Sequence, residues 1–243
     1  MEGGGWRRKR SSSRCRFAEI ISDAMSTLAV LPIKSFSEAK QRLVPGLSPG
    51  LRRLLVEAML SDVLVALRRT GALEAILAVS SDEDAQRIAG AYGALLLSDD
   101  GGGHNGAAAK GIRYAVERGF ERALLVPGDC PALDPGEVDA LLERAAPQRS
   151  AFVVPDRHGT GTNALLLSPP DALEPSFGPG SRERHMGLAA AANVPCEVAE
   201  IPTLGLDVDT PEDLDALRAV LARTHGGAAH TRGILRRLLT RVR

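Results

Sequence analysis

The 243-residue sequence is poor in cysteine and contains no long apolar run. Its three cysteines, Cys15, Cys130 and Cys196, are odd in number and far apart. Such spacing fits neither a disulfide framework nor a paired-thiol zinc site, so we expect a reducing, cytoplasmic compartment. No apolar stretch approaches the roughly 20 residues that a membrane-spanning helix needs. We therefore expect a soluble chain without a membrane partner.

The sequence also lacks an excess of either charge. Lysine and arginine together number 30, aspartate and glutamate together number 30, and the formal net charge is zero. A chain without an overall field of one sign offers no global reason to bind nucleic acid, and we expect no nucleic-acid partner. Small anions remain candidates because local clusters of charge decide their binding.

One α/β domain is predicted between two basic ends. A chain of this length can build one substantial core. Residues 1–24 mix glycine, serine and arginine without periodicity and without the apolar segment of a signal peptide, so we expect a disordered extension. Residues 25–224 form the predicted domain. Residues 225–243 are expected to be a solvated basic tail, although their Leu and Ile spacing also allows a short amphipathic helix.

Apolar runs of strand length alternate with segments of helical periodicity. This order predicts a Rossmann-like, mostly parallel sheet flanked by helices on both faces. Strands buried on both faces read as continuous Leu, Val and Ile. The later strands are expected to be mixed or antiparallel. The predicted strands cover 26–33, 75–81, 94–99, 122–129, 150–157, 162–168 and 196–201, and the clearest helices cover 49–71, 83–92, 105–118 and a segment that opens at 209.

Polar residues follow the carboxyl ends of the predicted strands, where open α/β sheets bind their ligands. Lysine and arginine suit a polyphosphate, and aspartates suit the Mg²⁺ that bridges to it. The candidates are Lys34, Arg42, Ser80, Ser81, Asn105, Gly106 and Asp129, with Asp207 and Asp209 just before the last predicted helix.

Several of these residues have a plain structural alternative. Asp129 needs hydrogen bonds or a cation if it is buried, but it could equally cap the following turn. Asp207 and Asp209 could divide the roles of helix cap and metal ligand in either order. Lys34 directly follows a buried strand and is well placed for a phosphate, whereas Arg42 could belong to a solvated charge run.

Two further features carry less information. The segment DDGGGHNGAAAKG matches neither the dinucleotide-binding nor the P-loop glycine pattern, so a flexible loop explains it equally well. The histidines His104, His158 and His185 show no metal-ligand spacing, and we expect surface or supporting roles for them.

Six segments in a coherent order resemble the guanylyltransferases of coenzyme F420 biosynthesis. They are LPIKSFSEAKQRL, GGGHNGAAAKG, LLVPGDCPAL, DRHGTGTNALLL, FGPGSRERH and LGLDVDTPEDL. The resemblance runs from about residue 27 to 222 and includes neither terminal extension. It implies a GT-A-like nucleotidyltransferase fold, although LPIKSFSEAKQRL stands where many wider relatives carry a G-x-G-T-R loop.

The resemblance also implies roles for individual residues. Asp129 would bind Mg²⁺, with Asp207 or Asp209 as the second acidic ligand. Lys34 and Arg42 would face the triphosphate of GTP. The acceptor would contact Thr162 or Asn163, Gly178 and Ser181, and the guanine pocket would be lined by Ser80, Ser81 and the backbone of Asn105 and Gly106.

The implied reaction transfers GMP from GTP to a small phosphorylated carboxylic acid, with Lys34 and Asp129 as the catalytic residues. Phosphoenolpyruvate is the favoured acceptor, which would give enolpyruvoyl-2-diphospho-5'-guanosine and diphosphate. The alternatives are 2-phospho-L-lactate and 3-phosphoglycerate. A homodimer and a hand-over of the product to the next pathway enzyme are compatible with the resemblance. Two rival interpretations are a cytidylyl- or molybdopterin-type nucleotidyltransferase and a noncatalytic GTP-binding regulatory module.

Overall fold

The computed structural model describes residues 25–36, 48–145 and 148–240. The predicted disordered extension and Arg42 lie outside these residues. The strands are β1 (Thr27–Pro32), β2 (Ala75–Ser80), β3 (Leu95–Ser98), β4 (Arg122–Leu125), β5 (Ser150–Pro155), β6 (Thr162–Ser168) and β7 (Cys196–Val198). The helices are α1 (Pro49–Arg69), α2 (Glu83–Ala91), α3 (Gly103–Glu117), α4 (Pro135–Arg144), α5 (Ser181–Ala191), α6 (Pro211–Arg223) and α7 (Ala229–Thr240).

The described strands form one mixed sheet in the order β3-β2-β1-β4-β6-β5-β7. The first four strands of this order are parallel to one another. β6 runs antiparallel to both of its neighbours, and β7 is parallel to β5. The short connection between β5 and β6 accounts for their antiparallel pairing, because a parallel pair needs a long crossover. The predicted fold class is therefore confirmed.

The strand order places a switch point between β1 and β4. After β1 the chain passes through α1, and β2 then pairs on one side of β1. After β3 the chain passes through α3, and β4 pairs on the other side of β1. At such a point the loops after the two strands diverge and leave a crevice that binds ligands. Lys34 follows β1, and Asp129 follows β4, so the topology assigns both residues to this crevice.

Apolar side chains pack on both faces of the sheet. Alternate residues of β1 point in opposite directions, so Ala29 and Leu31 belong to one core cluster while Leu28 and Val30 belong to the other. Helices α1, α2, α4, α6 and α7 cover the first face, and α3 and α5 cover the second. In the part of the chain that the structure describes, no helix is long and apolar enough to cross a membrane.

Strand β3 differs from the expectation that the leucine-rich strands are buried on both sides. Leu95 and Leu96 are 42% and 48% exposed. The physical reason is position, because β3 pairs only with β2 and forms an edge of the sheet. Composition alone does not distinguish an edge strand of this kind from a central one.

The C-terminal segment also differs from its expected solvated state. Helix α7 packs against α1, and its Leu235 and Leu238 are buried. The carboxylate of Asp62 in α1 accepts hydrogen bonds from the backbone N–H groups of His230 (3.0 Å) and Thr231 (2.7 Å). A negative charge at a helix N-terminus is stabilising. The expectation of a solvated tail is therefore wrong for 229–240.

Candidate active site

Lys34 and Asp129 lie close to one imidazole at the crevice between β1 and β4. Burial lowers the pKa of His104, the positive charge of Lys34 lowers it further, and the negative charge of Asp129 opposes both. Both charges are thus near enough to act on the same ring. Residues from the ends of β1 and β4 and from the first turn of α3 therefore lie near one another there.

The segment that carries Asp129 meets the loop that carries Asp207. The thiol of Cys130 donates to the backbone carbonyl of Leu204 (3.3 Å). The side-chain amide of Asn163 donates to the same carbonyl (3.0 Å) and to Asp207 Oδ1 (3.0 Å). One carbonyl oxygen therefore links the turn after β4, strand β6 and the loop before α6.

Neither Asp207 nor Asp209 caps helix α6. Thr210 is the N-cap, and its hydroxyl accepts a hydrogen bond from the backbone N–H of Asp213. Asp213 completes a capping box by accepting from the backbone N–H of Thr210 (2.8 Å) and of Asp209 (3.0 Å). The alternative in which one of the two aspartates is the cap is therefore wrong. Asp207 is half-buried and Asp209 is exposed.

The carboxylate of Asp213 is held in its charged form. Burial acts to raise its pKa, but hydrogen bonds from Thr210 and from the backbone of Asp209, together with the charge of Arg157, lower it below the ordinary value. The Asp213 carboxylate that completes the capping box is thus ionised at neutral pH, and its hydrogen bond from the backbone N–H of Asp209 holds that residue in place.

The acidic residues do not form a ready-made multidentate metal site. Among residues 25–36, 48–145 and 148–240 there is no group of three or more His, Cys, Asp or Glu side chains that could hold a metal ion. Asp129, Asp207 and Asp209 thus do not form a three-ligand cluster. One or two carboxylates that leave room for phosphate oxygens and water suit Mg²⁺, which is commonly bound in this way, and they do not suit a closed zinc site.

A β-bulge separates the two candidate acceptor residues. Thr162 pairs with Pro155 and Ala164 pairs with Val154, so Asn163 is the extra residue of β6. A bulge re-aims side chains relative to simple alternation. Thr162 contacts Ser181 and His185 of α5, whereas Asn163 bonds to Leu204 and Asp207. The two neighbours in sequence therefore serve different parts of the site.

The buried hydroxyls of Thr162 and Ser181 are adjacent. The backbone N–H of Thr162 donates to Ser181 Oγ (2.7 Å), and Thr162 Oγ1 lies 3.0 Å from His185 Nδ1. Gly178 and Gly180, with φ of 119° and 70°, form the turn that leads into α5. Such values favour glycine, which accounts for the FGPGS pattern at this position.

The loop that leads into α5 is attached to the rest of the site by two side chains. The guanidinium of Arg184 donates to the carbonyl of Ser176 (3.0 Å) and also to that of Pro179. Asn105 of α3 accepts from the backbone N–H of Phe177 (2.7 Å) and donates to its carbonyl (3.2 Å). The side chains of Arg184 and Asn105 thus hold the backbone of this loop in place.

The residues of the predicted guanine pocket differ in how far they are exposed to solvent. Ser80 is fully buried, and its hydroxyl accepts from the backbone N–H of Asp82 (3.1 Å). Asp82 caps α2 and accepts from Ser35 Oγ (3.0 Å) and the backbone N–H of Phe36 (2.9 Å). Burial acts to raise the pKa of Asp82, but these hydrogen bonds lower it overall. Ser81 is exposed, and Gly106 is half-buried in α3.

His185 is a supporting residue whose place could not be read from spacing. It is fully buried, and its Nε2 accepts a hydrogen bond from the backbone N–H of Ser176 (2.9 Å). Burial, together with the nearby charge of Arg184, lowers its pKa to about 4. The sequence contains no local signal for this role, because His185 contacts residues from β6 and from the loop that precedes α5.

A cleft of about 530 Å³ lies beside this region, between the β5–β6 turn, the loop after β7 and helix α6. None of the predicted site residues lines it. Its walls include Arg157, His158 and Glu200. The cleft is therefore separate from the candidate residues predicted from the sequence.

A family model described as "Guanylyl transferase CofC like" matches residues 27–243. The match includes the C-terminal segment, so the expectation that the resemblance ends before it is wrong. The chain is 52% identical over 217 residues to a phosphoenolpyruvate guanylyltransferase of Conexibacter woesei, covering 88% of this chain and 97% of the relative. It is 35% identical over 215 residues to a 2-phospho-L-lactate guanylyltransferase of Methanothermobacter thermautotrophicus, covering 88% and 92%.

A solved structure is similar in fold. It is described as a nucleotide-diphospho-sugar transferase of Desulfovibrio desulfuricans, with a TM-score of 0.69 and 18% identity, and the alignment covers 88% of this chain and 95% of that one. At this level of identity the likeness concerns the fold alone.

Proposed function

The chain belongs to the family of CofC-like guanylyl transferases, and on that premise we propose that it transfers GMP from GTP to phosphoenolpyruvate. The products are enolpyruvoyl-2-diphospho-5'-guanosine and diphosphate, and the reaction belongs to coenzyme F420 biosynthesis. The observation that carries the proposal is the convergence of Lys34 and Asp129 on His104 at the switch point of the sheet.

The choice of acceptor rests on the relatives. The chain is 52% identical to a relative named for phosphoenolpyruvate and 35% identical to one named for 2-phospho-L-lactate. Both acids carry a phosphate and a carboxylate on three carbons. The hydroxyls of Thr162 and Ser181 and the glycine turn at Gly178 suit such an anion, because backbone N–H groups and hydroxyls at a turn form anion-binding concavities.

The chemistry requires two anions to be brought together. Lys34 supplies positive charge to the triphosphate, and Thr162 and Ser181 orient the acceptor. No protein nucleophile is needed, since a phosphate monoester is largely ionised near neutral pH. A phosphate oxygen of the acceptor attacks the α-phosphorus, and diphosphate leaves. The contribution of the protein is positioning and electrostatic stabilisation.

Asp129 would hold a Mg²⁺ ion, with Asp207 or Asp209 as the second carboxylate. When bound, the metal neutralises charge on the phosphate oxygens and orients them. Asn163 supports this assignment through its hydrogen bond to Asp207. Binding of GTP, a cytoplasmic location, a homodimer and a hand-over of the product are parts of the same proposal.

A direct assay tests the proposal. Purified protein is incubated with GTP and Mg²⁺ and with phosphoenolpyruvate, 2-phospho-L-lactate or 3-phosphoglycerate in turn, and release of diphosphate is measured. We expect the highest kcat/KM with phosphoenolpyruvate. Turnover with CTP in place of GTP would favour a cytidylyltransferase, and GTP binding without diphosphate release would favour a regulatory module.

Substitution of Asp129 tests the metal assignment. Asp129→Asn should lower turnover by at least about a hundredfold, because removing a preorganised electrostatic contribution typically costs that much. Cys130→Ser is the matched control at the adjacent position, because a serine hydroxyl can still donate to Leu204. It should keep most of the activity. Near-wild-type turnover of Asp129→Asn would remove Asp129 from the mechanism.

A further inference from the structure

His185 lies fully buried between the candidate acceptor residue Thr162 and the loop that leads into α5. Its Nε2 is 2.9 Å from the backbone nitrogen of Ser176, and its Nδ1 is 3.0 Å from Thr162 Oγ1. Its ring also packs edge-to-face on Phe177, with 5.3 Å between centroids. The imidazole therefore has a defined partner at each nitrogen and one orientation.

These two contacts determine where the proton of the neutral ring resides. A backbone N–H can only donate, so Nε2 must accept from Ser176 and cannot carry a hydrogen. The single proton of the neutral imidazole is then on Nδ1. Nδ1–H consequently donates to Thr162 Oγ1.

The direction of this hydrogen bond decides what the hydroxyl of Thr162 can do. A hydroxyl has one proton to donate, and here an acceptor position of Oγ1 is occupied by Nδ1–H. The proton of Thr162 is thus turned away from His185. Ser181 Oγ likewise already accepts a hydrogen bond, from the backbone N–H of Thr162 (2.7 Å), so its own proton points away from that N–H. Two adjacent hydroxyls are both left with a proton to donate, which suits an anion.

We propose that His185 is a positioning residue that fixes the Thr162 hydroxyl as a hydrogen-bond donor to the anionic acceptor. This inference rests on the proposed function, because it deepens the assignment of Thr162 to the acceptor site. His185 does not touch the acceptor itself. It acts through Thr162 on one side and holds the backbone of Ser176 on the other.

The surroundings of His185 keep the ring in the neutral form that this arrangement requires. Burial lowers its pKa to about 4, and the neighbouring charge of Arg184 acts in the same direction. A protonated ring would place a hydrogen on Nε2 opposite the N–H of Ser176. The hydrogen-bond relay is therefore intact throughout the neutral pH range.

Two substitutions separate the two nitrogens of His185. The amide nitrogen of Asn lies two bonds beyond Cβ, as Nδ1 does, so His185→Asn keeps a donor toward Thr162 and loses the contact with Ser176. The amide of Gln lies one bond further, as Nε2 does, so His185→Gln keeps an acceptor for Ser176 and loses the donor toward Thr162.

The readout is the KM for phosphoenolpyruvate compared with kcat and with the KM for GTP. His185→Gln should raise the acceptor KM about ten- to a hundredfold, the usual weight of one hydrogen bond to a charged group. His185→Asn should raise it less than about threefold. The KM for GTP should change in neither variant, and thermal unfolding checks that both fold.

Thr162→Val supplies the reference for a double-mutant cycle. If His185 acts through Thr162, His185→Gln should add no further rise in acceptor KM in the Thr162→Val background. The tautomer is checked separately by nitrogen-detected NMR of the histidine ring, and we expect the proton on Nδ1.

The outcomes separate the inference from the proposed function. Equal effects of His185→Asn and His185→Gln, additive effects with Thr162→Val, or a proton on Nε2 would each overturn the positioning role while the wild type remains active. Absence of guanylyl transfer by the wild type with any of the three acids would instead overturn the proposed function, and the inference with it.

Discussion

Acidification from pH 7 to pH 5 should destabilise the folded protein through His185. The pKa of this histidine is about 4 in the folded state and 6.5 by its ordinary value. Between these two values the unfolded chain binds a proton that the folded protein does not. The free energy of unfolding therefore rises with pH in this window. The contribution of His185 to it is fully present above about pH 6.5 and is lost as the pH falls toward 4.

The size of the effect follows from the difference in pKa. One pH unit inside the window changes the free energy of unfolding by about 1.4 kcal/mol. The interval from 6.5 down to 5 thus removes about 2 kcal/mol. His185 is 0% exposed, so solvent screening does not reduce this figure substantially. The pKa values of Asp82 and Asp213 are also lowered, but from an ordinary value of 3.8. Their effect on the free energy of unfolding therefore falls mainly below pH 5.

Urea unfolding at pH 7, 6 and 5, followed by circular dichroism, measures this loss. The matched sample is His185→Asn, which has no titrating ring, so its stability should fall by about 2 kcal/mol less than that of the wild type over the same interval. The comparison also removes the contribution of His104, whose lowered pKa acts in the same direction in both proteins. Parallel pH dependences of the two proteins, or a wild type that gains stability on acidification, would refute the reasoning.

Two further predictions concern stability. Gly111→Ala should destabilise the fold by about 1–3 kcal/mol in thermal unfolding, because the added Cβ would lie 2.2 Å from Val30 Cγ1. Gly187→Ala in α5 is the control, because its added Cβ meets no atom within 4 Å, and it should be stabilising. Equal effects of the two substitutions would contradict the close packing of α3 on β1. Asp62→Ala should cost about 1–2 kcal/mol and speed hydrogen exchange in α7, because it removes the carboxylate that caps His230 and Thr231. Asp62→Asn should have a smaller effect, and unchanged exchange in both variants would show that α7 does not depend on this cap.

The sequence by itself determined the main elements of the fold and the edge of the sheet at which Lys34 and Asp129 lie. Continuous runs of Leu, Val and Ile separated by helical periodicity are sufficient to predict a parallel sheet, since both signals are local. Lys34 and Asp129 each follow such a run. Because parallel strands end at one edge of a sheet, a rule of topology was enough to predict that these two residues meet.

Tertiary structure alone decided how the supporting residues are used. The bulge at Asn163 directs it to Asp207 while Thr162 faces His185, and alternation along β6 cannot reveal that division. Helix α7 finds a partner in α1 only because the chain folds back over 160 residues, and Asp62 is the contact that holds it. These features depend on hydrogen bonds between distant segments, and such bonds leave no periodic pattern in the sequence.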